Sequence, residues 1–142
     1  MTRPSIRLAT ETDAAELARL NGLFNGAALT PAEQAENLRA AASTERALLA
    51  WVAGRAVGFT CLRFAPLITT ALPYAEVTEL FVEEAFRRRG LARALLAEAE
   101  ILAQSHGAPG LILFTGLKNE TAQAFYRAVG YHDYAITLRK VF

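Results

Sequence analysis

The sequence predicts an α/β protein with the element order β-α-α-β-β-β-α-β-α-β, and three observations lead to it. An apolar strand, Val77 to Val82, runs through a loop of three arginines and a glycine into a helix from about Leu91 to Ser105. A second apolar run, Leu111-Ile112-Leu113-Phe114 within Gly110 to Thr115, is bounded by glycines as a buried strand is. Two helix-opening signatures, Thr30-Pro31-Ala32-Glu33 and Asn119, mark helices on either side of these strands.

The remaining elements follow in chain order. Ile6 to Ala9 reads as a short strand, and Thr12 or Asp13 then caps a helix whose Ala15, Leu17, Leu20 and Leu23 or Phe24 form an apolar side. Thr30, Pro31 and Glu33 combine a capping hydroxyl, proline at the first helical position and glutamate at the third. That capping box opens a second helix towards Ala42. Ala47 to Ala53 and Ala56 to Phe64 are two strands joined by a tight turn at Gly54-Arg55, with Trp51, Val57, Phe59 and Leu62 as core candidates. Tyr74 to Val82 is the next strand. The helix after it carries a stripe at Leu91, Leu95, Ala99 and Leu102 and ends at Gly107 and Pro109. Asn119 caps a last helix that stops at Gly130, and Tyr131 to Val141 returns as a final strand.

Composition bounds the function. The 142 residues suffice for one domain, 1–142, with a real core. A net charge of +1 gives no broad attraction to nucleic acid, so no nucleic-acid partner is expected. No apolar run approaches the ~20 residues of a membrane span. The N-terminus, Met1 to Ser5, lacks the apolar centre of a secretory signal. Membrane association is therefore not expected. Cys61 stands alone and cannot form an internal disulfide, which suits a reducing cytoplasm. With two histidines and one cysteine, no metal-ligand spacing is present and no metal is expected.

The chemistry concentrates at Arg87-Arg88-Arg89-Gly90-Leu91-Ala92. The first turn of a helix leaves backbone N–H groups unpaired and carries partial positive charge. Gly90 has no Cβ to obstruct a close approach, and three guanidinium groups add fixed charge. Together they make a cradle for a pyrophosphate. The segment is not a P-loop, which needs Lys-Ser or Lys-Thr after its second glycine. Nor does it carry the three spaced glycines of a dinucleotide fold. Downstream, Asn119-Glu120-Thr121-Ala122-Gln123-Ala124-Phe125-Tyr126 ends in Gly130-Tyr131. Asn119 is a good N-cap, and Ala122, Phe125, Tyr126 and Val129 share one helical face.

Arg-x-x-Gly-x-Ala followed by Asn-x-x-Ala-x-x-Phe-Tyr closely resembles the two signatures of the GNAT acyltransferase superfamily, and the element order matches that family's topology over essentially the whole chain. The resemblance implies a single mixed, mostly antiparallel sheet flanked by helices. It also implies an N-acetyltransferase with acetyl-CoA as cosubstrate. Arg87, Arg88, Arg89, Gly90, Leu91 and Ala92 would hold the diphosphate. Backbone groups at Leu80, Phe81 and Val82 would bind the pantetheine arm as an added strand, and the Val82 N–H would polarise the acetyl carbonyl. Asn119, Ala122 and Phe125 would border the arm, small Ala122 letting it pass close by. Tyr126 would protonate the departing thiolate, its ordinary pKa of ~10 lying close to that of a thiol.

Two carboxylates compete for the amine's proton. Glu76 lies an even number of positions before Val82, so an unbroken strand puts both on one face, and it matches the base of histone-type members. Glu79 lies an odd number away and needs a β-bulge to reach that face; acids there contact the substrate in polyamine-type relatives. A water chain is the third option. The acceptor pocket is expected from the first two helices, the loop Ala65 to Pro73 and the final strand. Asn21, Phe24 and Asn25 are candidate lining residues, and Glu33 and Glu36 either attract a cationic acceptor or simply favour the helix dipole. The acceptor is a small-molecule or protein amine, attacked directly in a ternary complex; no side chain suits an acyl carrier, and Cys61 reads as a packed thiol. A homodimer through the last strand is one expectation. The alternative function is a catalytically silent acetyl-CoA sensor or interaction module, for which Tyr126 has no use.

Overall fold

The computed structural model describes residues 3–142; Met1 and Thr2, part of the polar N-terminus, lie outside the described residues. One mixed five-stranded sheet is flanked by helices in the order β1 (Ser5–Leu8), α1 (Ala14–Asn25), α2 (Pro31–Ala40), β2 (Glu45–Val52), β3 (Arg55–Ala65), β4 (Tyr74–Val82), α3 (Leu91–Ser105), β5 (Ile112–Leu113) and α4 (Glu120–Ala128). Strands follow one another across the sheet in sequence order, and β1 to β4 pair antiparallel. The chain divides into two compact units, one ending at Ile112 and the other Leu113–Phe142. Among the described residues no helix is long and apolar enough to cross a membrane.

The first unit holds the core. Before α1, Thr10 and Asp13 form a capping box around a short 3-10 turn, and the Arg7 guanidinium grips Asp13 through two bonds of 2.7 and 2.8 Å. Those bonds hold the Asp13 carboxyl down at about 2. In α1 the buried side is Ala14, Leu17, Ala18 and Leu20. Ala15 and Leu23, expected there, face water because small Ala14 and Ala18 complete the buried stripe with Leu17 and Leu20 instead. The box at Thr30 forms as expected: Glu33 N–H donates to the threonine hydroxyl at 3.1 Å, and Thr30 N–H to the Glu33 carboxylate at 2.8 Å. Ala53 and Gly54, both with positive φ (51° and 77°), turn β2 into β3, so Arg55 belongs to the strand rather than the turn. Val57, Phe59 and Leu62 are buried as expected, whereas Trp51 is half-buried with Arg7 laid over its ring at 4.6 Å.

Alternation splits β3 between two layers. Phe59 packs with Leu17 and Leu20 on the α1 side. Gly58 sits on the other side, where a Cβ would fall 3.4 Å from Leu95 of α3. The stripe of α3 runs Leu91, Leu95, Ala99 and Ala103, all buried, with Leu96 beside it. It therefore ends on Ala103 and leaves Leu102 half-buried. At its end the His106 Nδ1 lies 2.9 Å from the Leu102 carbonyl and the ring stacks on Phe64. The glycine-bounded run yields a strand of only two half-buried residues, Ile112 and Leu113.

In the second unit, Asn119 Oδ1 accepts the Ala122 N–H at 3.1 Å and opens α4. Arg127 pairs with Asp133 at 3.0 Å just past its end. The final strand expected over Tyr131 to Val141 does not form. No ladder joins residues 132–142 to another strand among the described residues, and Tyr134, Ile136, Leu138 and Val141 stand exposed. The alternation is that of a strand, but a strand exists only where an edge accepts its backbone bonds.

Gly58 is the point of least tolerance in the sheet. A Cβ there would lie 2.8 Å from the Phe81 backbone carbonyl of the neighbouring strand, which cannot rotate away. Gly58→Ala should destabilise the protein by about 1–3 kcal/mol. The effect would be read as a lower urea midpoint at unchanged slope. A wild-type midpoint would mean that β3 and β4 can part at no cost.

Candidate active site

Between β4 and α3 the chain makes a tight, partly left-handed loop. A 3-10 turn over Glu84–Phe86 leads to Arg88 in the left-handed region (φ 62°) and to Gly90 (φ 80°) as the N-cap of α3. A left-handed arginine is costly and is kept only where its surroundings fix it. From Arg88 to Arg93 no backbone N–H finds an acceptor among the described residues, and the first paired amide is Ala94, which donates to Gly90 O at 3.0 Å. Successive unpaired N–H groups at a helix start, with the dipole behind them, form an anion site. The three arginines differ. Arg87 Nε donates to the Val82 carbonyl at 2.8 Å and its guanidinium lies 5.8 Å from the Phe81 ring, so it braces the strand end. Arg89 lies over Phe86, and both Arg88 and Arg89 are exposed. Leu91 is buried and anchors the helix, while Ala92 keeps the first turn narrow.

Glu83, which sequence reasoning missed, pins this loop. Its carboxylate accepts from Arg19 of α1 at 2.7 Å and from Arg55 of β3 at 3.0 Å, and its N–H donates to Val57 O at 2.8 Å. Arg19 also reaches Ala56 O at 2.6 Å and Glu16 at 2.9 Å. The two arginines that hold Glu83 lie 64 and 28 residues from it in sequence, so no local spacing signals the cluster.

The β3–β4 register decides what β4 offers. Because Glu83 and Val57 share a ladder bond, alternation turns the N–H groups of Val82 and Leu80 away from β3, towards the other edge of β4. The Phe81 amide turns towards β3. A bulge is present: Cys61 opposes Glu79 and Leu62 opposes Val77, leaving Thr78 as the extra residue. It lies upstream of Glu79 and leaves the alternation from Glu79 to Val82 intact. Val82 lies against Gly58 on the α3 side, and Glu79 with Phe81 faces α1 and α2. Glu79 therefore stays on the opposite face from Val82, and the bulge changes the face of Glu76 instead.

On the α1–α2 side a cavity of about 310 Å³ is lined by side chains including Leu17, Asn21, Gln34, Asn37, Cys61 and Glu79. Among the described residues the Glu79 carboxylate meets only Asn25 Nδ2, at 3.4 Å, and Asn25 Nδ2 also donates to Asn21 Oδ1 at 2.7 Å. Glu76 does not line the cavity; the Tyr74 hydroxyl donates to it at 3.3 Å. Of the other candidates, Phe24 stacks on Phe81 at 5.1 Å, Glu33 is spent on its capping box and Glu36 pairs with Arg39 at 2.6 Å. Both glutamates thus serve their helix. The loop after β3 lines a separate apolar cavity with Leu67, Leu72, Tyr74 and Pro109. Gln34 carried no sequence signal beyond its place after the capping box.

Within the second unit the motif helix shows its predicted face: Ala122, Phe125, Tyr126 and Val129 are half-buried. Phe125 and Tyr126 lie 5.4 Å apart by ring centroids, and Tyr131 meets Tyr126 edge-on at 6.1 Å. Burial raises the Tyr126 phenol above its ordinary value, so it carries its proton at neutral pH.

Residues 14–131 match the family model of the Acetyltransferase (GNAT) family. An uncharacterised N-acetyltransferase of Methanocaldococcus jannaschii is 36% identical over 59 residues, which is 42% of this chain and 26% of that protein; the match spans about a quarter of its relative. An acetyltransferase of Trypanosoma brucei superposes with a TM-score of 0.87 at 21% identity, covering 99% of this chain and 100% of the other. An aminoglycoside N-acetyltransferase solved in complex with CoA superposes with a TM-score of 0.84 at 20% identity, covering 99% and 96%.

One titration separates a packed thiol from a reactive one. Burial, then the charges of Glu79 and Glu45, push the Cys61 thiol up to about 12. The thiolate is then a minor species at pH 8, although Cys61 is half-buried and borders the cavity. Iodoacetamide at pH 8 should modify the native protein at least ~100-fold more slowly than the urea-unfolded chain. The folded value lies above the unfolded ~8.5, so the neutral thiol's contribution to stability is complete below that pH and falls as pH rises towards 12. Equal labelling rates would show an open thiol.

Proposed function

This chain belongs to the acetyltransferase (GNAT) family, and we propose that it moves an acetyl group from acetyl-CoA to a primary amine by direct attack in a ternary complex. It is an acyltransferase by family. The observation that carries the finer reading is the run of unpartnered N–H groups from Arg88 to Arg93 behind a left-handed Gly90. A diphosphate suits it: backbone donors and a helix dipole take the anion, and Arg88 and Arg89 add exposed charge. Acetyl-CoA supplies an acyl group already activated as a thioester.

The chain's own residues divide the remaining work. The outward N–H groups of Leu80 and Val82 take an extended ligand along the edge of β4, and the Val82 N–H polarises a carbonyl placed there. Phe81 backs that edge from the sheet side. Asn119 and Ala122 give α4 a fixed start and a small flank, with Phe125 beside them. Tyr126, by its place in the Asn119 to Tyr131 motif, protonates the departing thiolate. Glu79, in the cavity and with a single long contact, draws the ammonium form of the acceptor and takes its proton, directly or through water. Glu76 is the weaker candidate because it lies outside the cavity lining. The acceptor is a small molecule, in keeping with a cavity of about 310 Å³.

Two experiments test this reading. Acetyl-CoA at a hundred times its dissociation constant should stabilise by ~2.7 kcal/mol, a rise of roughly 5–15 °C in melting temperature. Gly90→Glu should abolish the rise, since it adds a negative charge at the anion site and a Cβ at φ 80°. A well-folded wild type that does not shift would remove the cosubstrate and the reading with it. Tyr126→Phe should lower turnover by roughly 10²–10⁴-fold and leave the acetyl-CoA shift in place. Unchanged turnover would take the acid role from Tyr126. A full thermal shift without CoA release for any amine would favour the sensor.

A further inference from the structure

The peptide between Val82 and Glu83 is held at both ends. Its N–H, on Glu83, donates to Val57 O of β3 at 2.8 Å, and its carbonyl, on Val82, accepts from Arg87 Nε at 2.8 Å. The peptide is trans, so with the N–H turned to β3 the carbonyl turns to the opposite edge of β4. The Val82 N–H lies on that same edge. Arg87 reaches it because the 3-10 turn over Glu84–Phe86 folds the chain back, closing with Arg87 N–H on Glu84 O at 3.2 Å. The guanidinium also rests 5.8 Å from the Phe81 ring, whose neighbour in the stack is Phe24 of α1 at 5.1 Å. Arg87 thus belongs to the strand end, whereas Arg88 and Arg89 belong to the loop.

An edge residue in a sheet offers a donor and an acceptor together, and a pairing strand meets both. An acyl thioester meets only one of them. Its carbonyl oxygen takes the Val82 N–H, but it has no N–H to give the Val82 carbonyl. Left bare, that carbonyl would be an unpaired acceptor in the complex. It would also set the negative end of a dipole beside the oxygen on which charge builds during attack. We propose that Arg87 is a positioning residue for acyl transfer rather than a diphosphate ligand: it caps the Val82 carbonyl and leaves Val82 as a donor-only position for the acyl oxygen. The inference rests on the acetyltransfer reading above. Arginine suits the task because a planar guanidinium donates through Nε while holding its delocalised charge alongside the carbonyl. The three arginines then divide: Arg88 and Arg89 bring exposed charge to the diphosphate, and Arg87 acts on the reacting carbonyl through Val82.

The test reads the carbonyl stretch of acetyl-CoA labelled with carbon-13 at the acetyl carbonyl, by difference infrared spectroscopy, in wild type and Arg87→Met. In wild type the stretch should fall on binding, and in Arg87→Met it should fall less, with the acetyl-CoA melting shift kept. With hydroxylamine as probe acceptor, Arg87→Met should lower kcat about ten-fold or more. Its KM for acetyl-CoA should change by less than about three-fold. Arg87→Lys, which keeps a charge and N–H donors, should recover part of that kcat. Arg88→Ala should instead weaken acetyl-CoA binding and raise its KM. A wild-type stretch that does not move would overturn the inference. So would an Arg87→Met enzyme with the full fall in stretch and a raised KM, the signature of a lost diphosphate ligand. If acetyl-CoA binds but hydroxylamine releases no CoA, the stretch alone decides. If wild type shows no melting shift with acetyl-CoA, the cosubstrate reading falls and takes this inference with it.

Discussion

The β3–β4 ladder is the constraint on which the rest of the first unit depends. Its register places Val82 against Gly58 beneath α3 and turns Phe81 and Glu79 to the opposite face, where α1 and α2 pack. One strand therefore serves two layers. Its buried side holds the sheet to α3, and its other side furnishes the acidic wall of a cavity. Its edge away from β3 presents the amides of Leu80 and Val82. The bulge at Thr78 lets this happen without breaking the strand, because the extra residue resets the alternation below Glu79 and leaves the last four residues regular. The ladder ends at Glu83, whose bonds to Arg19 and Arg55 fix where the arginine loop departs. The left-handed turn at Arg88 thus starts from a pinned point.

Local signals carried well into the structure, and tertiary ones did not. The Thr30 capping box, the Asn119 cap and the span of α3 each depend on local signals, and each forms as the sequence predicts. The apolar side of α1 differs from its pattern because Ala14 and Ala18 are small enough to look neutral in a sequence yet are buried in the fold. Three features of the site could not be read from spacing. The Thr78 bulge is a property of how two strands meet. The Glu83 cluster joins residues far apart in the chain. Gln34 stands out only because its buried Oε1 has no hydrogen-bond partner among the described residues, which no sequence displays. The end of the chain shows the reverse case. Residues 131–142 have strand-like alternation, but a pattern does not supply an edge to pair with.

The anion cradle and the cavity are built from different materials. The cradle is backbone, identical in chemistry whatever side chains follow Gly90, and its shape is set by two left-handed residues. The cavity is almost wholly side chain, drawn from α1, α2 and the faces of three strands. Substitutions can accumulate on the cavity wall without disturbing the cradle, so long as the ladder and Glu83 hold. Such a division separates what a lineage must keep from what it can vary. On the proposed reading, new acceptors become accessible through single changes at positions such as Asn21 or Asn37, with the acyl-donor half unaltered.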